Sequence, residues 1–268
     1  MSTPSPARSA LPARSAPPAG ASGLRAAGLV ALDEDHHVHS TFSDDAVSTV
    51  AENVRAARER GLRVVVLADH VRQGSTWVPD FVAAVRDLQP GPGLQVLTGV
   101  EAKILNGAGD LDLPSSLRGV DRVLIADHQF PGDHGPVPPE DMRDALERRQ
   151  CSAADVIGGL ITATLGALGR AALPQLAHLF SLLPKMGLDE ADVPGPALDH
   201  LARGCYRVGA RVEVNEKWAC PSPRTIRALA AAGVPLVAST DSHDCASVGR
   251  YQRVRGILES AYRAAVPR

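Results

Sequence analysis

A chain of 268 residues is long enough for one barrel-sized domain or for two small domains. Hydrophobic residues make up 44% of it and charged residues 22%, with no apolar run of about 18 residues, which is typical of a globular protein and argues against a membrane-spanning one. Residues 1–32 hold three of the 28 basic residues and none of the 30 acidic ones. The remainder, with 25 basic against 30 acidic residues, has a net charge of −5, which disfavours nucleic acid as a partner.

The first 28 residues are dominated by Ala, Pro, Ser, Gly and Arg, including Arg8, Arg14 and Arg25. Repeated proline disrupts helices and little in this segment can bury an apolar face, so we predict a disordered tail. It lacks the continuous apolar region of a secretory signal, although an Arg- and Ser-rich start without acids also resembles an organelle transit peptide. The four cysteines have no C-x-x-C spacing, which predicts reduced thiols in a cytoplasmic protein.

From residue 33 onward, short β-branched runs alternate with Ala- and Arg-rich stretches of helical period, which is typical of repeated βα units and a parallel sheet. Seven strands are predicted, at residues 36–39, 63–68, 94–100, 121–126, 174–179, 207–214 and 234–239. Helices are predicted between them, at residues 48–60 behind a Ser48 cap, 79–88, 139 to about 170, 196–206 and 223–232. This order fits a closed barrel or an open doubly wound sheet, and periodicity does not choose between them. No glycine-rich nucleotide loop accompanies the strands.

The first predicted strand carries His37-Val38-His39, which places two imidazoles on one face because side chains two apart in a strand share a face. Two nitrogen ligands on one face can share one metal ion. Asp44 and Asp45 follow closely, and either could return a carboxylate to the same pocket. The alternative for both is a turn.

Polar side chains also follow the next two predicted strands. Asp69-His70 follows the apolar run at 64–68, and Asp69 is expected to orient His70 by accepting a hydrogen bond. Glu101 follows the third strand, where its two oxygens could bridge two cations. Alternatively, Glu101 is a surface acid paired with Lys103.

The later strands repeat this pattern. Asp127-His128 follows the fourth strand, His178 follows an apolar pair, and Asp241 and His243 share a face after the last strand. Six of the nine histidines thus lie at the carboxyl ends of predicted strands, namely His37, His39, His70, His128, His178 and His243. One histidine there is more often a core or surface residue, but six predict a metal centre, because clustered buried carboxylates and imidazoles need a compensating ion. No role is assigned to the other three, which are His36, His134 and His200.

Assembled in order, these segments resemble the PHP (polymerase and histidinol phosphatase) family of metal-dependent phosphoesterases. The resemblance runs from about Asp35 to Gly249 and rests on DHHVHSTFSDD, LADH, GVEAKIL, ADH, LAHLF and STDSH. GVEAKILNGAGDLDLP is similar to the branch of small stand-alone phosphatases and of PHP domains in bacterial family X polymerases, and HSTFSDDA is similar to the histidinol phosphatase branch. The resemblance implies that residues 29–268 form a PHP-type domain folded as a distorted seven-stranded parallel (βα)7 barrel with a trinuclear site.

The resemblance also implies which residues hold two or three divalent ions of zinc, manganese or iron. One ion would be held by His37, His39, Glu101 and Asp241. A second would be held by Asp45, His70 and His243. The third would share Glu101 as a bridge, together with His128 and His178. Family members place the acid or histidine of the first motif either five or six residues past the second histidine, so Asp44 and Asp45 both remain possible, and Asp45 is preferred.

The activity that the resemblance implies is hydrolysis of a phosphate ester of a small phosphorylated metabolite, in which a metal-activated hydroxide attacks phosphorus in line. Asp241 or a nearby histidine such as His243 would assist proton transfer. Four basic residues near the strand ends are candidates for binding the substrate phosphate, or else ordinary surface charges: Arg72, Lys103, Lys217 and Arg250. Such an enzyme requires neither nucleic acid nor a membrane as a partner.

Three alternatives to a phosphatase are weaker. A metal-dependent amidohydrolase also uses H-x-H on its first strand and a late Asp, but a carboxylated lysine usually accompanies them and no predicted strand ends in Lys. A nuclease-like PHP domain is disfavoured by the net charge of the body and by an aromatic content of only 3%. A non-catalytic metal-binding module is disfavoured because the full set of ligands is retained.

Overall fold

Seven parallel strands lie side by side in the computed structural model, which describes residues 30–263. In their order across the sheet these strands are β1 (Glu34–Val38), β2 (Val64–Val71), β3 (Gln95–Lys103), β4 (Arg122–Ala126), β7 (Pro174–Leu176), β8 (Arg211–Asn215) and β9 (Leu236–Ser239). Val38 at the end of β1 forms a parallel bridge with Ser242 just after β9, so the sheet curves into a nearly closed barrel. The predicted seven-stranded parallel barrel is therefore confirmed. The predicted disordered tail, residues 1–28, lies outside the described residues.

Helices alternate with the strands and pack on the outside of the barrel. They are α1 (Val50–Glu59), α2 (Val78–Arg86), α3 (Pro139–Glu147), α4 (Ala153–Leu168), α5 (Gly195–Val208), α6 (Pro223–Ala231) and α7 (Arg253–Arg263). A hairpin of β5 (Phe130–Gly132) and β6 (Gly135–Val137) stands where the sequence indicates only a loop. Two short 3₁₀ helices, Leu183–Met186 and Glu190–Asp192, also lack a sequence signal strong enough to predict them.

Two helix predictions are wrong in detail. The single helix predicted from residue 139 to about 170 is two helices, because Arg149 adopts a left-handed conformation with φ 57° and Ser152 then caps the second helix. The cap of α1 is Thr49, whose side chain and that of Glu52 form a capping box. Ser48, the predicted cap, is buried instead, and its hydroxyl accepts a hydrogen bond from the backbone N–H of Cys245.

The interior of the barrel is apolar in its lower part, toward the amino ends of the strands, and polar in its upper part, at their carboxyl ends. Small and medium side chains fill the lower part, namely Val66, Ala68, Leu124, Ala126 and Ala177. Gly99 lies on the same inner face, where an added Cβ would stand 3.0 Å from the Cβ of Ala68, so the close packing of β2 on β3 requires glycine. One layer higher the inner residues are charged or imidazole-bearing, and this is the edge at which the candidate site lies. No helix within residues 30–263 combines the length and the apolar character needed to cross a membrane.

Candidate metal centre

Strand register brings the predicted ligands together. His70 on β2 and Glu101 on β3 are direct neighbours across the ladder, so both side chains point into the barrel at the same height. His37 lies next to the last residue of β1 on the same inner face, and His39 follows two residues later, where its backbone N–H donates to the carbonyl of Ser242. The carboxyl ends of parallel strands therefore converge on one small volume.

Glu101 lies at the centre of this volume and is 2% exposed. Its Oε2 atom is 3.4 Å from His37 Nε2, 3.5 Å from His39 Nε2 and 2.9 Å from His70 Nδ1. One carboxylate oxygen thus faces three imidazoles, two of which come from the H-x-H motif.

The other oxygen of Glu101 faces two further imidazoles. Glu101 Oε1 is 3.0 Å from His178 Nε2 and 3.2 Å from His128 Nε2. Lys103 does not pair with Glu101, since its Nζ donates to Gln129 Oε1 at 3.2 Å. The alternative interpretation of Glu101 as a surface acid paired with Lys103 is therefore wrong, and both carboxylate oxygens point into the histidine cluster.

Asp241 completes one side of the cluster. Its Oδ1 atom is 3.3 Å from His39 Nε2, and its Oδ2 atom accepts a hydrogen bond of 2.9 Å from the indole Nε1 of Trp218. Trp218 was not among the predicted site residues, because nothing in the local sequence indicates which carboxylate its loop approaches. Asp241 holds a left-handed backbone conformation with φ 53°, and His178 one with φ 28°, both uncommon for residues other than glycine.

Of the two acids in the first motif, Asp45 enters the cluster and Asp44 does not. Asp45 Oδ2 is 3.1 Å from His243 Nε2 and 3.6 Å from His70 Nε2. Asp44 is exposed and lies 3.7 Å from Arg72 across the surface. The geometry therefore favours Asp45 over Asp44 as the candidate metal ligand.

A buried acid beneath the cluster, Glu213, was not predicted. Glu213 Oε1 is 3.0 Å from His37 Nδ1, which leaves the Nε2 atom of His37 turned toward Glu101. Its carboxylate also accepts hydrogen bonds from the side chains of Gln175, Asn215 and Ser239. The signal was present in β8, where RVEVN carries an acid between two buried valines. Glu213 therefore fixes the orientation of the His37 ring. Carboxylates outside the coordination sphere fix metal-binding imidazoles in the same way.

The expected role of Asp69 is wrong. Its carboxylate accepts hydrogen bonds from the backbone N–H and hydroxyl of Ser40 and from the hydroxyl of Ser43, rather than orienting the ring of His70. The Ser43 hydroxyl in turn lies 3.2 Å from His39 Nδ1. Asp69 therefore supports His39 through the loop that follows β1.

Asp35, another residue missed in the sequence, closes the seam between β1 and β9. It accepts hydrogen bonds from the backbone N–H and hydroxyl of Thr240 and from the N–H of Gly249. Burial raises the pKa of Asp35 to about 6 despite these donors. The loop that carries Asp241 and His243 is thus fastened to the first strand.

The buried carboxylates of the cluster need positive charge beside them to remain ionised. Burial disfavours protonation of His178, but the nearby carboxylates of Asp127 and Glu101 outweigh it and raise the pKa of His178 to about 10. Burial lowers the pKa of His39 to about 3. Burial would also raise the pKa of Glu101, but His128 and His37 outweigh it and hold that pKa well below its usual value. The carboxylates therefore stay ionised only if protons or metal cations balance them.

The donor atoms fit divalent metal ions. Three sets of side chains each offer ligand atoms within 4.8 Å of one another: His37, His39 and Asp241; His39, His70 and His243; and His70, Glu101 and His128. The atoms His37 Nε2, His39 Nε2 and Glu101 Oε2 are buried without a hydrogen-bond partner among the described residues. Ligands about 2.1 Å from a tetrahedral ion stand about 3.4 Å apart, close to the separations measured around Glu101. A bound cation would satisfy all three atoms.

The basic residues predicted to bind phosphate line cavities around the cluster. Arg72 and Lys103 line one of about 260 Å³ beside Asp45 and His70. Lys217 lines a cavity of about 190 Å³ over the histidines, and Arg250 lines a larger neighbouring one. Lys185, which was not predicted, lies with its Nζ 4.0 Å from the centroid of the Trp218 ring. The three histidines assigned no role, His36, His134 and His200, belong to none of the ligand sets among the described residues.

Comparisons with known proteins agree with the family resemblance of the sequence motifs. A model of the PHP domain family matches residues 35–172, about half of the chain. A relative named as a probable phosphatase from Vibrio vulnificus is 30% identical over 231 residues, covering 85% of both chains. Another probable phosphatase, from Acetivibrio thermocellus, is 26% identical over 239 residues, covering 84% of this chain and 85% of the relative.

Among solved structures, the fold is similar to histidinol phosphate phosphatase from Lactococcus lactis, which was crystallised with zinc, L-histidinol and phosphate. The TM-score is 0.62 at 17% sequence identity, and the match covers 86% of this chain and 93% of the other. At that identity the likeness concerns the barrel and the order of its strands.

Proposed function

The chain belongs to the PHP domain family, and we propose that it is a metal-dependent phosphatase that hydrolyses phosphate monoesters of small metabolites. The observation that carries this proposal is the buried carboxylate of Glu101, which faces three imidazoles with one oxygen and two with the other. A carboxylate so surrounded is suited to bridge cations, and paired cations are suited to phosphoryl transfer. The names of the relatives support the same reaction class.

The proposed ligands fall into three sets. His37, His39, Glu101 and Asp241 would hold one ion; Asp45, His70 and His243 a second; and Glu101, His128 and His178 a third. Nitrogen and carboxylate donors suit zinc, manganese and iron. When bound, such cations make a water more acidic and withdraw electron density from a phosphoryl oxygen.

The remaining chemistry belongs to the side chains. Asp241, held by the Trp218 indole, presents one oxygen to the centre, and His243 stands beside it to move a proton to the departing oxygen. Lys217, with its Nζ 3.7 Å from Asp241, supplies positive charge where the substrate phosphate would sit. Glu213 fixes the ring of His37, and Asp69 fixes the ring of His39 through the Ser43 hydroxyl.

Phosphate release from a panel of phosphorylated metabolites, measured on metal-replete protein, tests this function. We expect hydrolysis of p-nitrophenyl phosphate and faster hydrolysis of at least one metabolite, with both lost in Asp241→Asn, which excludes a contaminating phosphatase. Cyclic amides serve as the amidohydrolase arm of the panel. Hydrolysis of cyclic amides without release of phosphate would overturn the proposal.

Asp45 and Asp44 provide a matched pair for the second ligand set. Asp45→Asn removes a charge that lies beside two histidines, and we expect it to weaken retention of one ion by roughly tenfold or more, since even outer-shell changes cost about 10–100-fold. Asp44→Asn removes an exposed charge and should change retention by less than about twofold. Competition with a metal-binding dye measures both. Equal losses in the two variants would contradict the assignment of Asp45.

Trp218 is expected to position Asp241. Trp218→Phe keeps an aromatic ring under Lys185 but removes the indole donor, and a hydrogen bond to a charged group contributes about 1.5–3 kcal/mol. We therefore expect roughly a tenfold loss of metal affinity at the site of Asp241 and a similar loss in kcat. Trp77→Phe is the control, because Trp77 packs against Phe42 and Phe81 away from the cluster. If both substitutions have the same effect, Trp218 does not position Asp241.

A further inference from the structure

A second and larger cavity, of about 530 Å³, opens beside the metal centre. Lys217, Asp241 and His243 line both this cavity and the one over the histidines, so the two cavities adjoin at these side chains. The far wall comes from the loop after β9 and the start of α7. A molecule with one group at the metal centre can extend from there into the larger cavity.

Three basic residues line this cavity: Lys217, Arg250 and Arg253. Within residues 30–263, neither Arg250 nor Arg253 makes an ion pair. Lys217 Nζ lies 3.7 Å from Asp241 Oδ1 and 3.3 Å from His243 Nδ1, and both of these residues are proposed metal ligands. Arg253 uses one guanidinium nitrogen to donate to the carbonyl of Lys217, which leaves its other donors free for a ligand.

The acids beside these cations are already engaged. The carboxylate of Glu216 accepts hydrogen bonds from the backbone N–H groups of residues 252–254 and thereby caps the first turn of α7. The carboxylate of Asp244 accepts from the backbone N–H and hydroxyl of Ser247. Neither acid forms an ion pair with Arg250 or Arg253 in the described part of the chain, so both guanidinium groups keep donors for a ligand.

Ser242, which lies between Asp241 and His243, supplies an independent sign of a ligand. It is 3% exposed, it lines the cavity, and its Oγ atom has no hydrogen-bond partner among the described residues. A buried hydroxyl without a partner costs free energy, and rotation of the Ser242 side chain toward the cavity would let an oxygen-rich ligand accept its hydrogen bond.

We propose that this cavity binds a second anionic group of the substrate, so that the preferred substrates are small phosphate monoesters that also carry a carboxylate or another phosphate. This selectivity rests on the phosphatase function proposed above, which provides the site for the reacting phosphate. Lys217 stands between the two anionic groups, and Arg250, Arg253 and the Ser242 hydroxyl contact the second one.

Matched substrates test the second anion site. Glycerol 3-phosphate is compared with 3-phosphoglycerate, which adds a carboxylate, and fructose 6-phosphate with fructose 1,6-bisphosphate, which adds a phosphate. We expect KM to be at least about tenfold lower for the doubly anionic member of one pair or both, at similar kcat. The pair with the larger ratio of KM values shows whether the cavity prefers a carboxylate or a phosphate.

Variants then locate the preference. Arg250→Gln and Ser242→Ala should bring the KM ratio close to one, and Ser242→Ala should not lower Tm because its hydroxyl has no partner to lose. Arg255→Gln is the control, since Arg255 lies on α7 near Arg253 but donates to the Tyr251 carbonyl and lines a different, apolar cavity. It should keep the wild-type ratio.

Several outcomes would overturn the second anion site. Equal KM values within both pairs would do so, as would an Arg250→Gln variant that weakens singly and doubly anionic substrates alike. If no phosphate ester is hydrolysed, the phosphatase function fails separately, and calorimetric titration of the same compounds decides the cavity. Tighter binding of 3-phosphoglycerate or fructose 1,6-bisphosphate that disappears in Arg250→Gln supports the site, and equal binding overturns it.

Discussion

Replacing Glu101 by Gln is expected to lower kcat by about a thousandfold, or roughly 4 kcal/mol at 1.36 kcal/mol per factor of ten. The amide keeps the shape of the side chain but removes its charge and one strong acceptor. Each of the two oxygens faces a separate group of imidazoles, so two proposed ions would face each other with less neutralisation. No other proposed ligand serves two ions. Glu101 should therefore be the most damaging single ligand to lose.

Metal content separates this explanation from a general loss of structure. In Glu101→Gln, elemental analysis should show that two sites lose occupancy together while the far-ultraviolet circular dichroism spectrum is retained. His134→Asn is the control, because His134 lies in the turn between β5 and β6, and it should keep full metal content. Wild-type activity and full metal content in Glu101→Gln would remove the basis for a bridging carboxylate.

Removing metal should abolish phosphatase activity and lower Tm. The buried donors at His37, His39 and Glu101 have no protein partners among the described residues, so stripping a chelatable ion exposes the full cost of burying them. Ions that bind only the folded chain also stabilise it by mass action. Protein purified under metal-replete conditions should hold more than one transition-metal equivalent, and activity should return on adding zinc, manganese or iron.

Elemental analysis and thermal melting before and after chelation measure both effects. Glu101→Gln serves as the internal control, because a chain that has already lost two ions should show a smaller decrease in Tm on chelation. At most one ion per chain in the wild-type protein would exclude a multinuclear centre.

The convergence of ligands could be predicted because most of them follow a strand whose apolar run is visible in the sequence. The run before Asp69 and His70 shows where β2 ends, and all parallel strands end at the same edge. The residues that orient the proposed ligands could not be predicted in the same way. Glu213 approaches His37 from 176 residues further along the chain, and that contact depends on how the barrel closes.

Local propensity also could not decide which of two neighbouring residues takes a given role. Thr49 rather than Ser48 caps α1, because the Ser48 hydroxyl is occupied by the backbone of a distant loop. Asp45 rather than Asp44 enters the cluster, because His243 approaches it from the loop after β9. In each pair the two residues have equivalent propensities, and only tertiary contacts distinguish them.

The left-handed backbone at His178 and Asp241 bears on how such a centre persists through evolution. Glycine or asparagine would adopt these conformations with less strain, so substitutions that relax the backbone also remove proposed ligands. Drift toward local stability and selection for activity therefore pull in opposite directions at these positions. A lineage released from the need for catalysis should lose these two residues early while keeping its barrel intact.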